Sequence, residues 1–299
     1  MRLLVAGRAG QLARALLEQA RRERLDLVAL GRPDLDLAAP DSLGGVIDRL
    51  RPDIVVNAAA YTAVDRAESE ERQALRINAE GAGALAAAAA ARGLPVIHVS
   101  TDYVFDGAKP TSYVEDDPTA PLNAYGRSKL AGERAVAAAN PRSLVLRTSW
   151  VYDAGPANFP AAMLRLACTR TVVDVVADQH GAPTYAPDLA AAILTLAPRL
   201  GPDAPAAAFG LFHAAAAGET SWADFARAVF AHSAARGGPS AQVRDIATAD
   251  YPSAARRPAN SRLDCGRLAR VHGIVLPHWR DGLDRRMAAA AAAAGETAT

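Results

Sequence analysis

Arg2-Leu3-Leu4-Val5-Ala6-Gly7-Arg8-Ala9-Gly10-Gln11-Leu12-Ala13 joins an apolar run, two glycines three residues apart and the start of a helix-forming stretch. A strand that turns sharply into a helix is the first unit of a parallel α/β sheet. Glycines at such a turn let the backbone approach a pyrophosphate, and the helix N-terminus attracts it. The pattern is GxxGxxA, and alone it also fits an ordinary strand-to-helix turn. It gains weight only if the rest of the chain builds the same kind of sheet.

Strand-like and helix-like stretches do alternate through the first half. Strands are predicted over Arg2 to Ala6, Leu25 to Leu30, Asp53 to Ala58, Leu94 to Ser100 and Ser143 to Thr148. Helices are predicted over Gln11 to Arg24, Ser42 to Leu50 with Asp41 as its cap, Glu68 to Arg92, and Ala124 to Ala139. This alternation implies an α/β fold, a Rossmann-like doubly wound parallel sheet with helices on both faces. The strands are near-continuous apolar runs, as doubly covered strands should be.

Beyond Trp150 the alternation loosens. Helices are predicted over Phe159 to Thr169, Pro187 to Pro198 and Trp222 to Ala235, with a strand over Val172 to Ala177. The division expected is a dinucleotide-binding domain over 1–150, joined by a further strand near 172–177. A smaller mixed α/β substrate-binding region would occupy 151–299. The alanine run 288–299 favours helix but has nothing to bury, so its end is expected to fray.

Composition narrows the class. The chain has 299 residues, 51% of them hydrophobic, and a net charge of +1. That balance gives no basic footprint for nucleic acid and no polycationic run for an anionic membrane. The head of the sequence is too soon interrupted for a signal peptide, and no apolar run is long enough to span a bilayer. Cys168 and Cys265 stand far apart without CxxC spacing and read as reduced thiols. The expectation is a soluble cytoplasmic protein, monomer or homodimer, acting on a small molecule. The histidines show no metal-ligand spacing, and His98, inside an apolar strand, reads as a satisfied core residue. No catalytic metal is expected.

The end of the second strand bears on cofactor choice. An acidic residue there would bind the ribose hydroxyls of NAD. Here Gly31 offers no carboxylate, and Arg32 can pair with a 2′-phosphate. NADPH is therefore favoured, with NADH as the second option. Asp36 and Leu37 are assigned to the adenine side, and Ala59, Ala60, Tyr61 and Thr62 to the loop after the third strand.

The reacting groups lie further on. Tyr125 and Lys129 are four residues apart, so a helix places them on one face. A nearby ammonium favours phenolate and brings a phenol closer to useful proton transfer. Thr101, at the end of the fourth strand, can hydrogen-bond the reacting oxygen.

These pieces together make the chain similar to the extended short-chain dehydrogenase/reductase superfamily and, within it, to the dTDP-4-dehydrorhamnose reductase family. The resemblance is carried by Gly10-Gln11-Leu12, by Asn57 through Asp65, by Ser100-Thr101-Asp102-Tyr103-Val104-Phe105-Asp106-Gly107, and by Tyr125 through Lys129. Arg147 through Tyr152, Asp178 through Thr184, and Arg257 through Leu263 extend it over nearly the whole chain. It departs from the pattern at Ala13, where a third glycine is usual, and at Gly31, where some relatives carry an acid.

The resemblance implies a reaction. NADPH would reduce the C4 keto group of dTDP-4-dehydro-L-rhamnose, giving dTDP-L-rhamnose. Tyr125 would supply the proton, Lys129 would tune Tyr125 and hold the nicotinamide ribose, and Thr101 would bond at the reacting centre. Asp102 and Trp150 would contact the sugar nucleotide, and Arg257 its diphosphate. Gly7, Gly10, Gln11 and Leu12 would line the cofactor. Two rivals stay open at this level. One is another sugar-nucleotide enzyme on the same fold; Tyr103, where a dehydratase carries Glu, argues against dehydration, while epimerisation also uses Tyr and Lys. The other is a non-catalytic, cofactor-binding regulatory subunit.

Overall fold

The computed structural model describes the chain from Met1 to Glu296, with side chains to residue 289. Its centre is a sheet in which β1 (Arg2–Ala6) lies between β2 (Asp26–Leu30) and β3 (Ile54–Asn57). Next to β3 come β4 (Val96–Thr101), β5 (Ser143–Thr148) and an outermost strand, Gly210–His213. All six run parallel. Parallel strands need helical crossovers on the sheet faces, so every strand is covered twice.

The apolar runs divide accordingly. Leu3, Val5, Ile54, Val56, Leu144 and Leu146 face one core layer, which holds Leu12 and Leu16 of helix α1 (Gln11–Glu23). Leu4, Ala6, Val55 and Val96 face the other, with Val46 and Ile47 of α2 (Leu43–Leu50). The first layer also recruits Leu189 and Ile193 of helix Ala186–Leu196 and Leu268 of helix Gly266–His272. The chain beyond residue 150 thus completes the core of the sheet.

The structure revises four local expectations. Asp41 is not a cap: Pro40–Ser42 form one turn of 3-10 helix that leads into α2, and no side chain caps the α2 N-terminus. The helix expected over Glu68 to Arg92 is segmented. A short α3 (Val64–Ala67) precedes it, and α4 (Glu71–Leu75) passes through a π turn, Arg76–Gly81, into α5 (Ala82–Ala90). The strand near 172–177 forms over Val172–Val176, but it pairs with Gln242–Ile246 in a separate two-stranded sheet. The sixth strand of the main sheet is instead Gly210–His213, where the sequence reading places no strand. The alanine tail is helical to Glu296, in Trp279–Glu296; residues 297–299 lie outside those described.

The π turn matters for the site because of what packs on it. In α6 (Ala124–Ala139), a Cβ at Gly132 would fall 2.0 Å from the Asn78 carbonyl oxygen. Only glycine allows that approach, and it presses α6 onto the π turn. Asn78 then reaches outward: its Oδ1 accepts the Tyr61 N–H at 2.7 Å, and its Nδ2 donates to the Tyr61 carbonyl at 3.0 Å and to Ser128 Oγ at 2.9 Å. The loop after β3 is thereby tied to the helix that carries Tyr125 and Lys129.

Candidate functional site

A cavity of about 470 Å³ opens beyond the carboxyl ends of β1, β3, β4 and β5. Ligands of open parallel sheets lie at this edge. Its floor is Gly10, Gln11 and Leu12 at the start of α1, facing Ala58, Ala59, Ala60 and Thr62 after β3. Its far wall carries Thr101, Asp102, Tyr125, Lys129 and Trp150.

The floor suits an anionic ligand. Helix α1 starts after Gly10 with no side-chain cap and no acidic residue in its first turn, so its end presents unpaired N–H groups and the positive end of its dipole. A Cβ at Gly10 would meet nothing within 4 Å, so the backbone lies open to the cavity. Gly7 has a different task. Its φ is +113°, and a Cβ there would sit 3.2 Å from the Ala58 carbonyl carbon, so it makes the turn and is not itself a lining residue. Three lining residues bury polar atoms without protein partners, Gln11 Oε1, Thr148 Oγ1 and, on the wall, Asp102 Oδ2. A pyrophosphate-bearing dinucleotide fits such a floor.

The wall is built on α6. Asn123 caps that helix by accepting the Gly126 N–H at 2.8 Å, which fixes the turn presenting Tyr125. A Cβ at Gly126 would fall 2.2 Å from the Tyr103 carbonyl oxygen, so α6 rests directly on the turn after β4. Thr101 Oγ1 donates to Asp102 Oδ1 at 3.0 Å and accepts the Tyr103 N–H at 3.2 Å. Lys129 is buried and donates to the Val99 carbonyl at 2.7 Å.

The electrostatics differ from the sequence expectation. Burial pushes the Tyr125 phenol up to about 12; Thr101 draws it down and the Asp102 charge adds to the rise. Lys129 is not among the causes. Its own pKa is pushed down from 10.5 to about 8, by burial first and against the opposing charge of Glu133. Tyr125 therefore stays protonated at neutrality, the form a proton donor needs. Asp102 is raised to about 6 by burial, with Ser261 and Thr101 pulling it back.

Trp150 stands at the junction of the two halves. Its backbone adopts φ +49°, a left-handed conformation costly for a large side chain. Its ring stacks on Trp222 at 3.6 Å and 10°, and Gly181 packs against the indole. Strain held by surrounding packing is typical of ligand-binding positions.

Several predicted residues are not brought to the cavity. Arg257 pairs with Asp65 at 2.8 Å and donates to Ser253 Oγ, so its charge is already matched. Leu37 is in the core, its backbone under Gly81, and Asp36 accepts the Ala38 N–H. The Tyr61 hydroxyl donates to Glu70 at 2.6 Å, outside the lining. Arg32 is exposed and also lies outside it. Two arginines were missed. Arg14 lines the floor, held by Asp153 at 2.5 Å and by the Ala9 carbonyl; its place in the first turn after Gly10 was the available signal. Arg8 is exposed beside Gly31, where an added Cβ would be 3.3 Å from the Arg8 Cβ.

The family model described as the RmlD substrate binding domain matches residues 1–292. A dTDP-4-dehydrorhamnose reductase of Sinorhizobium fredii is 52% identical over 285 residues, which is 95% of this chain and 96% of that one. The chain belongs to the dTDP-4-dehydrorhamnose reductase family. Solved structures of the family superpose throughout. The dTDP-4-dehydrorhamnose reductase of Clostridium acetobutylicum matches with a TM-score of 0.90 at 34% identity, covering 97% of this chain and 99% of that one. The Bacillus anthracis dTDP-4-dehydrorhamnose reductase, solved in complex with NADP, matches with a TM-score of 0.89 at 35% identity, covering 96% and 99%. Among the described residues no helix is long and apolar enough to cross a membrane.

Proposed function

We propose that this chain reduces the C4 keto group of dTDP-4-dehydro-L-rhamnose to give dTDP-L-rhamnose, using NADPH, in the cytoplasm. The observation that carries the reading is one cavity whose floor is an uncapped helix N-terminus and whose wall is Thr101, Tyr125 and Lys129. NADPH, when bound, supplies the two electrons and the hydrogen that C4 receives.

The chain's own groups do the rest. Tyr125, kept protonated by burial, gives its phenolic proton to the oxygen of the forming alkoxide. Thr101, beside Tyr125, holds that oxygen by turning to it the one hydroxyl proton that otherwise goes to Asp102. Lys129, on the same face of α6, offers an N–H to the ribose next to the reacting ring. Gly10, Gln11 and Leu12 hold the pyrophosphate, with Ala59, Ala60 and Thr62 against the dinucleotide. Asp102 and Trp150 contact the sugar nucleotide, where the Trp150–Trp222 stack bounds the cavity.

The test is consumption of NADPH by the purified protein against a panel of 4-keto-6-deoxy sugar nucleotides. Turnover with dTDP-4-dehydro-L-rhamnose and conversion to dTDP-L-rhamnose are expected. Turnover restricted to another sugar, or none with any, would reject the reading.

A further inference from the structure

Behind the Tyr125–Lys129 wall, three buried polar side chains run inward from the cavity floor. Asn57, His98 and Lys129 are each at most 2% exposed. Asn57 ends β3, and His98 lies opposite it in the β4 register. Asn57 Nδ2 is 3.1 Å from His98 Nδ1, and His98 Nε2 is 3.4 Å from Lys129 Nζ. At one end of the row Asn57 Oδ1 accepts the Ala59 N–H at 3.2 Å. At the other, Lys129 Nζ donates to the Val99 carbonyl at 2.7 Å.

Counting donors sets the direction of this row. A backbone N–H can only donate, so the Asn57 oxygen faces Ala59 and its amide NH2 faces His98. His98 Nδ1 is then an acceptor. Burial pushes the His98 pKa well down, and any charge on Lys129 pushes it the same way, so the ring is neutral and carries one proton. That proton sits on Nε2 and points at Lys129. An N–H aimed at an ammonium is repelled by it, whereas a neutral amine has a lone pair to receive it. The amine then keeps two N–H groups, one for Val99 and one for the cavity.

We propose that Asn57 and His98 are positioning residues for Lys129: they hold one imidazole tautomer whose Nε2–H favours the neutral amine and turns its free N–H to the cavity. This role presumes that Lys129 belongs to the reducing site proposed above. A charged Lys129 requires the other tautomer, a flipped Asn57 and loss of the Ala59 bond. Its protonation is therefore linked to the loop that lines the cavity floor. The other titratable groups around Lys129 are Tyr125 and Glu133 on α6 and, beyond Tyr125, Asp102; Glu133 is engaged by Arg147.

Lys109 and Lys129 are the chain's two lysines. Carbon-labelled lysine NMR on the full-length protein therefore reads Lys129 directly, with Lys109 as internal reference. A long-range proton–nitrogen correlation reads the His98 tautomer in the unaltered protein. The expected results are a Lys129 midpoint near 8 and, above that midpoint where the amine is neutral, Nε2–H on His98. His98→Phe removes the donor, and Asn57→Asp, whose carboxylate only accepts, reverses the tautomer. Each should raise the Lys129 midpoint by about one pH unit, roughly tenfold in proton affinity. Nδ1–H on His98 at a pH above the Lys129 midpoint, or a midpoint that Asn57→Asp leaves unmoved, overturns the proposal. If His98→Phe does not fold, those two results still decide. None of these readouts needs substrate, so they fail or succeed separately from the turnover assay.

Discussion

Glu133 and Arg147 are joined by two parallel bonds, of 2.9 and 2.7 Å, between side chains that are both buried. Ser100 Oγ adds a third bond to the same carboxylate at 2.5 Å, next to Thr101 in the chain. Truncating one member of a buried ion pair leaves an uncompensated charge. Glu133→Gln should therefore cost about 3–5 kcal/mol in urea unfolding. The double variant Glu133→Leu with Arg147→Met should cost less than the single one, because it buries no orphan charge. A single-variant cost below about 1 kcal/mol, the range of an exposed pair, would contradict this.

Asp102 makes stability depend on pH. Its pKa is raised from 3.8 to about 6, so between these values the native state keeps a proton that the unfolded chain has released. Its contribution is therefore full below pH 3.8 and is lost as pH rises through 6. The loss is on the order of 2–3 kcal/mol. Buried His98 and His213, both shifted down, add stability over the same range, so urea unfolding at about pH 4 and about pH 7 should show a smaller gain toward pH 7 in the wild type than in Asp102→Asn. Equal slopes for the two proteins would rule out Asp102 as the source.

The elements that local chemistry encodes were legible in the sequence, and those that depend on distant partners were not. Helix Ala124–Ala139 and strand Ser143–Thr148 form within the predicted bounds, because Asn123 caps the one and an unbroken apolar run makes the other. Val172–Val176 was legible as a strand, but its pairing with Gln242–Ile246 is set about seventy residues away. Gly210–His213 was missed because a four-residue strand at a sheet edge owes its existence to β5. In the site, Thr101, Tyr125 and Lys129 were readable from motif spacing. The sequence assigns Arg257 to the diphosphate, and no spacing there reveals that Asp65 pairs with it across the fold. His98 was read as a core residue, which its burial bears out, but only the register beside Asn57 shows what it touches.

Cofactor choice should rest on the two exposed arginines that flank Gly31. Arg8→Ala and Arg32→Ala are each expected to weaken NADPH by about 1 kcal/mol, the scale of an exposed charge-assisted contact, and NADH by much less. Titration of both dinucleotides by intrinsic fluorescence compares them. Equal losses for the two would make both arginines bystanders.

Gly181 limits the room around the tryptophan stack. A Cβ at that position would lie 2.6 Å from Trp150 Cε2, so Gly181→Ala must shift Trp150 and with it the stack on Trp222. Overpacking of this kind costs about 1–3 kcal/mol. The Michaelis constant for the sugar nucleotide should rise while the NADPH dissociation constant stays near the wild-type value. An unchanged Michaelis constant would mean that the stack does not contact substrate.

The central claim is that Tyr125 delivers the proton to the reduced carbonyl, and it is tested most directly by NADPH consumption with dTDP-4-dehydro-L-rhamnose in the wild type and Tyr125→Phe. The wild type should turn over, and the variant should lose about 100-fold or more in kcat while binding NADPH as before. Wild-type-like turnover by Tyr125→Phe would contradict the assignment.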